Sequence, residues 1–97
     1  MKVSVRFFTS LREITGKREQ TLRFSEDETV TLDRVLARLV KLYGKDLEEY
    51  VYDRKTGEVK GFLQFLVNGR SISASIGLNT ELADGDVLAI IPPVGGG

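Results

Sequence analysis

One stretch of this 97-residue chain has strong helical periodicity, and it dictates what the rest must do. Leu32, Val35, Leu36, Leu39, Val40 and Tyr43 recur every three or four residues, so a helix over 31–43 carries a broad apolar stripe. Thr31 can cap its start, Asp33 suits the positive end of its dipole, and Gly44 terminates it. An apolar stripe needs a second layer to be buried against. The flanking segments supply one by alternating. Val3, Val5 and Phe7 oppose Lys2, Ser4 and Arg6; Leu22 and Phe24 oppose Thr21 and Arg23. Phe8 breaks the first alternation by placing an aromatic on the polar side.

Between these two strands, Ser10-Leu11-Arg12-Glu13 has the pattern of a capping box, and Gly16 ends a short helix after about two turns. Residues 45–61 are the most polar part, with four cations and five carboxylates. Within them, Tyr50-Val51-Tyr52 and Glu58-Val59-Lys60 flank Asp53–Gly57, which predicts an exposed hairpin or loop over 48–61 that can be shortened. Phe62–Val67 reads as a central strand, Asn68-Gly69 as a two-residue hairpin turn, and Arg70–Ser73 as the returning strand. Asp84-Gly85-Asp86 leads into a buried last strand, Val87–Ile91. The first and last strands are the most apolar and are placed side by side and parallel. The expected fold is α+β, a β-grasp with one main helix across a mixed sheet, as a single domain over 1–97.

Composition removes several chemistries. With no Cys and no His there is no thiol nucleophile, no imidazole base and no thiolate or histidine metal site, and no metal is expected. Fourteen cations balance fourteen anions, giving no general attraction to nucleic acid or membrane. Neither a signal peptide nor a membrane span is read, so a cytoplasmic location is expected. The carboxylates of 45–61 read as solvated surface, Asn68-Gly69-Arg70 as a turn and not a phosphate cradle, and Arg12 as an exposed arginine.

The C-terminus is different. Pro92-Pro93 cannot continue a ladder, and Val94-Gly95-Gly96-Gly97 follows without a charged side chain. Residues 92–97 form a flexible arm that can extend on the order of 20 Å. A frayed end is the bland alternative.

This ending, together with Val5-Arg6-Phe7-Phe8-Thr9-Ser10-Leu11-Arg12-Glu13-Ile14-Thr15-Gly16 and Asp84-Gly85-Asp86-Val87, resembles the small subunit of molybdopterin synthase, the MoaD family of ubiquitin-like sulfur carriers. The family pattern is Pro-Pro-Val, one variable small residue, then Gly-Gly, which makes Gly95 the variable position. The resemblance covers the chain except about Glu48 to Gly61.

It implies that an adenylating enzyme, akin to ubiquitin-activating enzymes, uses ATP and magnesium to activate the carboxylate of Gly97. A sulfur donor then displaces AMP, and the thiocarboxylate supplies sulfur for the molybdopterin dithiolene. Gly95 and Gly96 would thread the arm through a narrow channel. Phe8, Ile91, Pro92, Pro93 and Val94 would contact the large subunit, with core packing an equal alternative for Phe8 and Ile91. The chain would bind no cofactor and have no pocket of its own. A ubiquitin-like modifier joined through Gly97 to target lysines, or a sulfur carrier for tRNA thiolation, would use the same activated intermediate.

Overall fold

Strand alternation and the helical stripe meet in one core. The computed structural model describes residues 1–72 and 77–93. The chain runs β1 (Lys2–Phe7), α1 (Ser10–Thr15), β2 (Glu19–Arg23), α2 (Leu32–Tyr43), α3 (Lys45–Val51), β3 (Gln64–Val67), β4 (Arg70–Ile72) and β5 (Val87–Ile91). The strands form one five-stranded sheet in the order β2-β1-β5-β3-β4. Strands β1 and β5 are parallel, with Val5 opposite Leu88 and Phe7 opposite Ile90; the other three pairings are antiparallel. This is the ubiquitin-like β-grasp, with the parallel centre that the sequence predicts.

Val3, Val5, Phe7, Leu22, Phe65, Leu88 and Ile90 point from the sheet into a core shared with Leu32, Val35, Leu36 and Leu39 of α2. Each such side chain contributes about 1.5–3 kcal/mol when fully buried. Thr31 caps α2 by accepting from the Arg34 N–H at 3.3 Å. The N–H groups of Leu32 and Asp33 donate to the carbonyls of Thr80 and Leu78, so the segment before β5 also holds the start of the helix. The Tyr43 ring meets Phe7 edge-on at 5.8 Å, and its hydroxyl donates to Gln20 Oε1 at 2.6 Å. These contacts tie the end of α2 to β1 and β2.

Several expectations need correction. Ser10 is not a cap: it is the first residue of α1, after Thr9 at φ 48°, and no side chain caps that end. The Leu11 and Arg12 N–H groups donate to the carbonyls of Phe8 and Thr9, so backbone closes the first turn without a side chain.

The expected hairpin over 48–61 begins inside a helix. Lys45–Val51 forms α3, separated from α2 by Gly44 at φ 84°, a backbone conformation glycine adopts at no steric cost. Leu47 and Val51, four residues apart, are buried in the main core. The Asp53–Gly57 turn does form: Gly57 N–H donates to the Asp53 carbonyl, and a single bridge joins Tyr52 to Val59. Residues 54–58 are exposed as expected, together with Glu48 and Gly61, whereas Val51 is buried and Glu49, Tyr50, Tyr52, Asp53, Val59 and Lys60 are half-buried.

The central strand starts at Gln64 and not at Phe62, which is 43% exposed and edge-on to the Tyr50 ring. Val67 is half-buried and packs against the core from its margin. Asn68-Gly69 makes the predicted turn, with φ of 51° and 84°. Ser73 lies outside the described residues.

Candidate functional site: the open sheet face

β5 alternates cleanly. Leu88 and Ile90 enter the core, whereas Val87, Ala89 and Ile91 are half-buried on the opposite face. The register surrounds them: Ser4 lies opposite Val87, Ala89 sits between Arg6 and Leu66, and Ile91 faces Gln64. Leu66 is half-buried too. The result is an apolar patch of Val87, Ala89, Ile91 and Leu66 in the middle of the sheet, on the side away from α2.

Phe8 lies one residue past β1, and because Phe7 is opposite Ile90 it follows the chain at the Ile91 end of the sheet. It is half-buried. Arg12 stands 5.5 Å above its ring and donates from Nε to the Phe7 carbonyl at 3.0 Å, which pins the corner. Pro92 is buried and Pro93 half-buried. Of the residues picked from sequence, the structure therefore brings Phe8 and Ile91 to one end of the sheet, with Pro93 two residues beyond. It puts Pro92 inside the body: its apolar ring, with no N–H to satisfy, anchors the exit of the chain. Val94, Gly95, Gly96 and Gly97 lie outside the described residues.

Sequence reading misses Leu66, Val87 and Ala89 as surface residues. Within continuous apolar runs their outward phase shows only once β3 is known to pair with β5 in this register.

The perturbed titrations belong to the helical layer. Burial pushes the Tyr43 hydroxyl up from its ordinary value; burial, then the carboxylates of Asp33 and Glu48, does the same at Tyr52. Backbone N–H groups of Lys55 and Thr56 hold the Asp53 carboxyl down. A cleft of 580 Å³ lies on this side too, between α2 and the Asp53–Gly57 turn, where Lys45 and Arg54 both approach Glu49 at 3.9 Å. Among the described residues no three His, Cys, Asp or Glu are grouped to hold a metal ion. Likewise no helix among them is long and apolar enough to cross a membrane. What the open face offers is shape, apolar contact and a strand leading to the arm.

Comparison with known proteins agrees with this geometry. The profile of the ThiS family matches residues 5–97. Small archaeal modifier protein 3 of Haloferax volcanii is 35% identical over 99 residues, covering all of both chains. The sulfur carrier protein CysO of Mycobacterium tuberculosis is 34% identical over 97 residues, again covering both chains fully. Among solved structures, the crystal structure of SAMP1 from Haloferax volcanii superposes with a TM-score of 0.84 at 30% identity, covering 100% of each chain.

Proposed function

The chain belongs to the ThiS family of ubiquitin-like sulfur carriers and modifiers, and from that premise we propose that it is a sulfur carrier acting through a thiocarboxylate at Gly97. A carboxylate is a poor electrophile and must first be activated. One of its oxygens attacks the α-phosphorus of ATP on a partner adenylating enzyme, with magnesium there, and pyrophosphate leaves. Hydrosulfide released by a donor attacks the carbonyl carbon of the resulting acyl adenylate, the bond to AMP breaks, and sulfur takes the place of one C-terminal oxygen. The ionised thiocarboxylate is then the nucleophile, as thiolate is the reactive form of cysteine. The acceptor we assign is the molybdopterin precursor held by the large subunit of molybdopterin synthase, where two such sulfurs complete the dithiolene. The opening Val5–Gly16 and the ending Pro92–Gly97 support that choice.

The observation that carries the reading is the line from patch to tail. β5, at the centre of the sheet, presents Val87, Ala89 and Ile91 beside Leu66 and continues through an anchored Pro92 into Val94-Gly95-Gly96-Gly97. A partner that grips the patch has the arm's origin fixed. Gly95 and Gly96 add no side chain to block entry of the arm into a narrow site.

A second reading has its own support. Full-length similarity to a small archaeal modifier protein favours transfer of the same activated Gly97 to lysines of other proteins. The protein purified from its own host separates the two by intact mass. A gain of about 16 Da, oxygen replaced by sulfur, marks the carrier, and lysine-linked adducts mark the modifier. An unchanged mass, with no exchange of pyrophosphate on the adenylating enzyme of the same organism, defeats both. Conversion of molybdopterin precursor by the loaded protein and the large subunit tests the acceptor.

A further inference from the structure

Beside the apolar half of the open face lies a half of different character. β1 and β2 pair in a register that sets Lys2 opposite Arg23, Ser4 opposite Thr21 and Arg6 opposite Glu19. Directly opposed residues share a face, and Lys2, Arg6, Arg23, Thr21 and Glu19 are all exposed. Three cations therefore face one carboxylate. Lys2 and Arg23 are like charges placed across from each other, an arrangement that costs stability.

Among the described residues neither Lys2 nor Arg23 makes an ion pair. Among the described residues the face has a single ion pair, Arg6 with Glu19 at 4.0 Å. The carboxylates at this end of the sheet are held by amides and not by the two cations: Asp84 accepts the Lys2 backbone N–H, and Asp86 accepts from Ala83 N–H and the Asn68 amide. Arg38, which reaches the Arg23 carbonyl, is another cation. The strip continues into the apolar patch through Arg6, which is opposite Ala89 on β5.

Resting on the carrier reading above, we infer that the Lys2–Arg23–Arg6 strip is an electrostatic docking surface for the adenylating enzyme, selecting a partner with carboxylates alongside its apolar contact. Lys2 and Arg6 are four residues apart, so the matching carboxylates span about 13 Å at roughly 3.3 Å per residue. A protein fits better than a nucleic acid. The chain has no net charge, and the strip shares its face with Val87, Ala89, Ile91 and Leu66, which give a phosphate backbone nothing to bind. Exposed charge at the rim of an apolar contact acts mainly on encounter rate and choice of partner, and is screened by salt.

The test is ATP–pyrophosphate exchange by the adenylating enzyme of the same organism, titrated with the full-length protein and its variants. The double variant Lys2→Glu, Arg23→Glu is expected to raise KM about tenfold and to leave kcat within about twofold. The parent's KM is expected to climb severalfold between about 50 and about 300 mM salt, and the variant's to stay flat. Arg54→Glu, on the far side of the molecule, is expected to change neither parameter. The single variant Arg23→Glu removes the like-charge opposition, so its unfolding midpoint is expected to equal or exceed the parent's while its KM rises. A purely structural role cannot produce that combination. An unchanged KM in the double variant, with the parent active, overturns the strip and leaves the carrier reading standing. Absence of exchange with the parent itself removes both. Binding of a tRNA probe that the double variant loses, with KM unmoved, reassigns the strip to nucleic acid.

Discussion

Asn68 and Asp86, eighteen residues apart, clasp the start of β5: Asn68 Nδ2 donates to Asp86 Oδ1 at 2.9 Å. Asn68 Oδ1 accepts the Val87 N–H at 2.9 Å, and the Asn68 N–H donates to the Val87 carbonyl. One side chain thus sets the residue at which β5 enters the sheet, and with it which of its residues face outward. Asn68 also has a positive φ of 51°, which asparagine tolerates better than most residues. Asn68→Ala loses both side-chain bonds and strains the turn, for an expected destabilisation of about 2 kcal/mol. Asn68→Gly keeps the turn and is expected to cost about 1 kcal/mol. Urea unfolding of the two variants checks the order; equal losses would mean that the turn geometry contributes nothing.

The α3 segment separates into an essential part and a dispensable one. Leu47 is almost fully buried, and Leu47→Ala is expected to cost about 2–4 kcal/mol. Replacing exposed residues 54–57 with a shorter turn is expected to cost less than about 1 kcal/mol. Chemical denaturation of both variants measures the contrast.

The Asp53 carboxylate accepts the N–H groups of Lys55 at 2.8 Å and Thr56 at 3.1 Å, which holds its pKa below the ordinary 3.8. A depressed folded pKa stabilises the fold above the ordinary value, and that contribution is lost as pH falls through the depressed one. The side chain's NMR titration is therefore expected on the acid side of an unstructured aspartate. Asp53→Asn is expected to remove this contribution to the acid limb of the stability profile.

Separation of the arm from the core gives a functional prediction. Among the described residues the last buried side chain is Pro92, four positions before Gly96, so deleting Gly96 and Gly97 is expected to shift the unfolding midpoint by no more than about 2 °C. The same deletion is expected to abolish adenylation and sulfur loading. Gly96→Val, stiffer and wider, is expected to be nearly as damaging. Thermal unfolding run beside a loading assay decides the matter, and sulfur uptake by the truncated protein would refute the proposed role of the tail.

On the apolar half of the face, Leu66→Glu is expected to weaken binding of the adenylating enzyme about tenfold or more, because it buries a charge against apolar surface. Leu66 is half-buried on the open side, so the fold is expected to lose less than about 1 kcal/mol. Calorimetric titration with the enzyme, alongside urea unfolding, measures both.

Much of the architecture is legible because its signals are periodic. Val3, Val5 and Phe7 alternate, the α2 stripe repeats, and Asn68-Gly69 has a turn geometry that few other dipeptides reach. What stays hidden depends on packing partners distant in sequence. Leu47 and Val51 are two apolar residues among charges, so α3 shows a helix face too narrow to outweigh the hairpin signal of Asp53–Gly57. Ser10 has the side chain of a cap, but the carbonyls of Phe8 and Thr9 reach the open N–H groups first. The open face is harder still. Leu66 and Ala89 become neighbours only through the β3–β5 register, and Lys2 meets Arg23 only through that of β1 and β2.

The parallel union of β1 and β5 also governs how the molecule comes into being. Lys2 and Asp84, joined by a hydrogen bond at the edge of that union, are separated by 82 positions. The middle of the sheet therefore closes by one of the longest loops available to the chain, which slows folding relative to a protein of local contacts. During synthesis β1 waits for β5 before its second edge is paired. A chain interrupted anywhere between them has no centre to its sheet, so a copy lacking β5 leaves β1 half-paired and unstable.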